Sequence, residues 1–146
     1  MRTHAPHPRP PPPLAPSQAL LYLHKRYKGL PQLVSSSGTM VPGEERQALP
    51  GVLADGPRLD YLRGYLGATC SAVSKGVRLI GWFAWSFMDS FEWNDGYRTK
   101  FGLVHVDFGK GLKRTPKQSA LWLSTQFFNA SGGGGAAGGG GGRADL

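Results

Sequence analysis

Residues Leu79–Trp93 read LIGWFAWSFMDSFEW. From Leu79 to Trp85 the run is almost continuously apolar, the pattern of a strand buried on both faces of a parallel sheet. Asp89, Ser90 and Glu92 then interrupt the aromatics. An apolar wall with a few placed polar groups is what a sugar-binding cleft needs, because a sugar ring has a C–H face that stacks on indole and a rim of hydroxyls that seeks charged acceptors. Trp85, Glu92 and Trp93 supply both kinds of contact. On composition alone, a buried aromatic strand running into a surface loop fits equally well.

Downstream, FGLVHVDF at Phe101–Phe108 alternates as a short strand, with a polar return at Gly109–Gly111. Thr115-Pro116 is expected to open a helix, Thr115 as its cap and Pro116 in its first position. Ala120, Leu121, Leu123 and Phe127 or Phe128 give that helix an apolar face. Upstream, Arg58–Gly76 reads as a helix closed by Gly76, with Leu59, Leu62, Leu66 and Val73 near one face. Thr39–Pro57 is a polar loop whose Glu44, Glu45 and Arg46 are expected to be solvated. Leu30–Ser35 is a short strand. Before it, Gln18–Tyr27 forms a helix capped by Ser17 and ended by Gly29, with Leu20, Leu21, Leu23 and Tyr27 on one face. The order is helix, strand, helix, strand, a hairpin-like insertion and a helix, an α/β arrangement. It occupies residues 17–130, between a Pro-rich segment (1–16) and a Gly-rich tail (131–146), both expected to be disordered.

GWFAWSFMDSFEWNDGYRTKFGLVHVDF followed by LKRTPKQSALW closely resembles the C-terminal end of glycoside hydrolase family 1, the β-glucosidase family. That family ends in G-Y-F-A-W-S-L-L-D-N-F-E-W-x-x-G-Y, then R-F-G-L-V-Y-V-D-Y, then L-K-R-x-P-K-x-S-A. A helix of the form R-[IL]-x-Y-L precedes these runs, as it does here at Arg58. The resemblance covers residues 20–128. It implies the C-terminal fragment of a (β/α)8 TIM barrel, about the last two β/α units. A whole barrel takes about 250 residues, and this chain has 146.

The resemblance also implies chemistry. The family hydrolyses β-glycosides by a retaining mechanism, which needs two carboxyl groups about 5–5.5 Å apart. Its nucleophile is the Glu of a Y-[IV]-T-E-N-G motif. Laid on PQLVSSSG, that motif puts Ser36 at the nucleophile position, Ser37 at the Asn and Gly38 at the Gly. The acid/base Glu belongs to an Asn-Glu-Pro motif, a tripeptide absent from this chain. Both catalytic carboxylates are therefore missing, and no catalytic residue is assigned. The sugar contacts fare better: Trp85 would line the floor under the ring, Glu92 would accept from its outer hydroxyls, and Trp93 would bond through its indole N–H. Glu92 argues against a 6-phosphorylated sugar, since like charges would share the pocket. The implied partners are a β-glycoside or glucose-like sugar and a missing N-terminal barrel portion, with no cofactor. A non-catalytic carbohydrate-binding remnant is the alternative, followed by a basic nucleic-acid-associating protein.

Charge and composition bear on these alternatives. The formal net charge of +8 would suit nucleic acid. The basic residues, however, fall in separate groups at Lys25–Lys28 and around Lys110, Lys113, Arg114 and Lys117, which reads as solvated turns and disfavours that partner. Cys70 is the single cysteine, placed in an amphipathic helix pattern and expected to be packed. The four histidines lack metal-ligand spacing, so no metal is expected. No 18-residue apolar run and no secretory h-region is visible, which leaves a cytoplasmic location as the default and no membrane as a partner.

Overall fold

The computed structural model describes residues 15–131, and side chains from 16 to 126. The Pro-rich and Gly-rich ends expected to be disordered lie, apart from their inner residues, outside the described residues. In chain order the elements are α1 (Ala15–Arg26), β1 (Gln32–Ser37), a single turn at Glu44–Arg46, α2 (Leu49–Leu53), α3 (Gly56–Ser74), β2 (Leu79–Ala84), a second single turn at Trp93–Asp95, β3 (Val104–Asp107), β4 (Lys113–Pro116) and α4 (Gln118–Ser131). β1 and β2 pair in parallel, Val34 opposite Trp82 and Ser37 opposite Ala84, with an irregularity between. β3 and β4 form an antiparallel hairpin, Val104 opposite Pro116.

The α/β order is as expected, with α3 joining two neighbouring parallel strands. Several details differ. α1 begins before Ser17, because Pro16 suits a first helical turn; Ser17 is therefore a buried residue inside the helix and not its cap. Gly29 does end that region, at φ 75°, and Gly76 closes α3 at φ 95° with the Val77 N–H reaching back to the Ala72 carbonyl. Thr115 and Pro116 belong to β4 and do not cap a helix: the ladder to Val104 and His105 holds them extended, and α4 starts two residues later.

The core has two parts. Leu20, Ala72 and Val77 meet Leu21, Val34 and Leu79 where α1 packs on α3. Leu62, Leu103 and Leu123 meet Leu66, Trp82, Ala84, Ala120 and Trp122 between α3 and α4. Leu23, Tyr27 and Val73, expected on inner faces, are exposed; Ala68, Thr69 and Ala72 take the inner positions on α3. Cys70 is exposed as well, one residue round from that face. β2 is not buried on both faces. Trp82 and Ala84 pack on the helices, while Ile80 and Phe83 are 65% and 58% exposed. Among the described residues β2 has one ladder partner, β1, so these side chains have no second layer to pack against.

Candidate functional site

The parallel pairing puts the carboxyl ends of β1 and β2 side by side, with Ser37 opposite Ala84. The Trp85 N–H donates to the Ser37 carbonyl at 2.8 Å. A Cβ on Gly38 would lie 1.6 Å from the Trp85 carbonyl oxygen, so the two strand ends can approach this closely only with glycine there. In open parallel sheets and β/α barrels this edge carries the reactive loops. Trp85 is half exposed, and the Trp85–Ser86 peptide is cis.

Beyond Trp85 the chain folds back over the hairpin. The Ser86 N–H donates to the Phe101 carbonyl, Leu103 N–H to Ser86, Val104 N–H to Phe87 and Asp89 N–H to Val104. The segment then turns at Glu92, whose N–H donates to the Gly96 carbonyl at 2.7 Å. Glu92 is half-buried and accepts from Ser90 Oγ at 2.8 Å. Trp93 beside it is 85% exposed, an indole presented to solvent. Phe91 packs edge-on against Tyr97, which lies on Phe108, tying this turn to the hairpin.

Ser36 is the residue before Ser37 on β1. It lines a cavity of about 230 Å3 between α1, β1 and α3, with Ser37, Tyr61, Tyr65, Thr69 and Trp82 among the other walls. Ser37 Oγ sits 3.4 Å from the Tyr61 hydroxyl, and Tyr61 stacks on Tyr65. Burial, and then the Tyr61 neighbour, hold the Tyr65 phenol above its ordinary pKa. Trp85, Glu92 and Trp93 do not line this cavity, so it does not bring Ser36 together with them.

The largest departure from the sequence reading is a lattice of buried charge that joins the segments following the two strands. Glu44, expected in a solvated loop, is 3% exposed; Lys117, expected in a solvated basic turn, is fully buried. Arg58 Nη2 donates to Glu44 Oε2 at 2.5 Å and Nη1 to Asp55 Oδ2 at 2.7 Å. Lys117 Nζ donates to Glu44 Oε1 at 2.5 Å and Asp89 Oδ1 at 3.0 Å. Asp89 also accepts from the backbone N–H groups of Gly102 and Val106, with Lys100 Nζ and His105 Nδ1 facing its Oδ2 at 3.6 and 3.3 Å. Asp55 caps α4 from outside it, taking the Ser119 N–H at 2.9 Å and the Ser119 hydroxyl at 2.5 Å. Three carboxylates thus meet three cations, so a desolvated cluster carries little net charge. Glu45 and Arg46 do face solvent, and a backbone N–H and then Arg46 hold the Glu45 carboxyl below its ordinary pKa. Sequence reasoning missed this lattice. Its signal was that Arg58, Asp89, Lys117 and Ser119 each fall on a fixed letter of the family runs without a sugar contact to explain them.

No group of three His, Cys, Asp or Glu side chains among the described residues could hold a metal ion, and no described helix is long and apolar enough to cross a membrane. The family model for glycosyl hydrolase family 1 matches residues 8–131. Beta-glucosidase 4 of Oryza sativa subsp. japonica is 42% identical over 105 residues, 72% of this chain and 22% of its own length. A protein of the same plant named "Probable inactive beta-glucosidase 14" is 39% identical over 105 residues, 72% of this chain and 20% of its own. Beta-glucosidase 2 of the fungus Trichoderma reesei, solved with Tris, superposes with a TM-score of 0.80 at 39% identity, over 89% of this chain and 28% of that one. A beta-glucosidase of the fungus Humicola insolens, solved with glucose, gives 0.79 at 36%, over 88% and 27%. The chain therefore spans about a fifth to somewhat over a quarter of these relatives.

Proposed function

The chain belongs to glycosyl hydrolase family 1, and on that premise we propose that it is the C-terminal part of a β-glucosidase-type barrel, carrying one wall of the glucose site and neither of the catalytic carboxylates. The observation that carries this reading is the junction of Gly38 with Trp85, where the strand holding the nucleophile position runs against the strand that leads into Trp85, Glu92 and Trp93. The junction lies at the carboxyl edge of a parallel pair, the edge at which barrel enzymes build their sites. Trp93 offers an unobstructed indole face and Glu92 a carboxylate backed by one serine, so a sugar could stack on the first and donate hydroxyls to the second.

Activity requires more than this wall. The Ser36 hydroxyl has no base hydrogen-bonded to it among the described residues, so it does not replace a carboxylate nucleophile. Glu44, Asp55 and Asp89 are committed to buried cations and are poor candidates to attack or protonate a glycoside. The exposed apolar side chains of Ile80 and Phe83 are surface that the rest of a barrel would cover, and turnover awaits that portion.

Glucose added to the chain in dilute solution should shift its tryptophan emission. Glu92→Ala should raise the half-saturating concentration by roughly 10- to 150-fold, the effect of one hydrogen bond to a charged group at about 1.5–3 kcal/mol. Glucose 6-phosphate should give no response. A titration unchanged by Glu92→Ala would remove Glu92 from the site and with it the sugar-wall reading.

A further inference from the structure

Lys117 stands one residue ahead of α4 with none of its surface exposed. Its ammonium bonds two carboxylates from different loops. Glu44 lies eight residues past Ser36 in the segment that follows β1; Asp89 lies four residues past Trp85 and three before Glu92 in the segment that follows β2. A buried ammonium has three donors to satisfy, and here two of them are taken by carboxylates from different loops. Each of these also has another cation at hand, Arg58 on Glu44 and Lys100 near Asp89. The backbone of Lys117 is tied too, its N–H donating at 2.9 Å to the carbonyl of Leu103, the residue just before β3, whose first residue Val104 Met88 bridges. One residue therefore links the loop after β1, the loop after β2 and the hairpin.

We propose that Lys117 is a positioning residue for the glucose wall: by holding Glu44 and Asp89 on a single ammonium it sets the spacing between the two loops, and so the placement of Glu92 and Trp93 relative to the β1 end. This rests on the sugar-wall reading above for its consequence, though not for its geometry. Rigid support beneath a binding loop is what keeps its contacts in register. Lys117 itself, fully buried, makes no contact with sugar in this scheme.

The test uses the full chain in dilute solution and two variants, Lys117→Met and Lys117→Met with Glu44→Gln, the second of which keeps the buried charge balanced. Three quantities are measured: the urea midpoint, the glucose response of tryptophan emission, and hydrogen exchange at the amides of Gly102 and Val106, which donate to Asp89. The double variant should recover most of the midpoint lost by the single one. It should still bind glucose about tenfold more weakly than the parent, the size expected for a coupling residue outside the site. Its Gly102 and Val106 amides should exchange faster while those inside α3 do not. A double variant with parental stability, parental glucose affinity and unchanged exchange would reduce Lys117 to charge balance and overturn the proposal. If the parent chain shows no glucose response, the sugar-wall reading fails, and exchange at Gly102 and Val106 alone decides the fate of the bridge. If neither Lys117 variant folds, Glu44→Met, which cuts the bridge and leaves Lys117 on Asp89, is read in the same way.

Discussion

Arg58→Met should lower the stability of the chain by about 3–5 kcal/mol, the effect of removing one partner from a buried ion pair. Arg58 is 1% exposed and spends its guanidinium on four acceptors: Asp55, Glu44 and the carbonyls of Thr39 and Lys100, the last two at 3.2 and 2.9 Å. Methionine fills similar volume and supplies none of these donors. Asp55 would then lose its cation and Glu44 one of its two, keeping Lys117, and Asp55 would loosen its hold on the start of α4. Small domains are stable by only about 5–15 kcal/mol, so the loss consumes much of what exists. Arg58→Lys should recover only part of it, because an ammonium cannot reproduce the planar fork that reaches Asp55 and Glu44 together. Urea unfolding followed by far-ultraviolet circular dichroism reads both changes. Equal midpoints for parent and Arg58→Met would mean that the lattice contributes nothing to the fold.

The second large effect is a gain. Ser36→Glu, combined with the N-terminal barrel portion of a homologous β-glucosidase, should bring hydrolysis of an aryl β-glucoside from background to a measurable rate. Either change alone should give none. A retaining mechanism needs the nucleophile and the acid/base together, and each change supplies one of them. The partner portion would also cover the exposed apolar side chains of Ile80 and Phe83 on β2, which makes its association with this chain favourable. Activity in the complemented chain with Ser36 left as serine would show that the motif alignment assigns the wrong residue.

Much of the fold was legible because hydrophobic period and glycine punctuation are local signals. The helix–strand–helix–strand order, Gly29 and Gly76 all follow from stretches a few residues long. Pairing is not local. Thr115-Pro116 carries a good helix-start signature, yet β3 draws it into a ladder, and only the hairpin register could reveal that. The buried face of β2 was misjudged for a related reason: an apolar run states what a strand can bury, not how many neighbours this chain provides. The charge lattice was least legible. Glu44 and Lys117 are 73 residues apart, and neither sits in an apolar context that would announce burial. Trp85, Glu92 and Trp93 were found as residue types suited to a sugar, and the fold sets the first at a strand end and the other two at the turn beyond.

Hydrolysis of an aryl β-glucoside by the unmodified chain, assayed on the same sample whose tryptophan emission is titrated with glucose, tests the central claim most directly. A glucose wall without its carboxylates predicts an emission change together with no release of aglycone above background. Turnover by the unmodified chain that survives Ser36→Ala would mean that another carboxylate performs the chemistry, and would contradict the account.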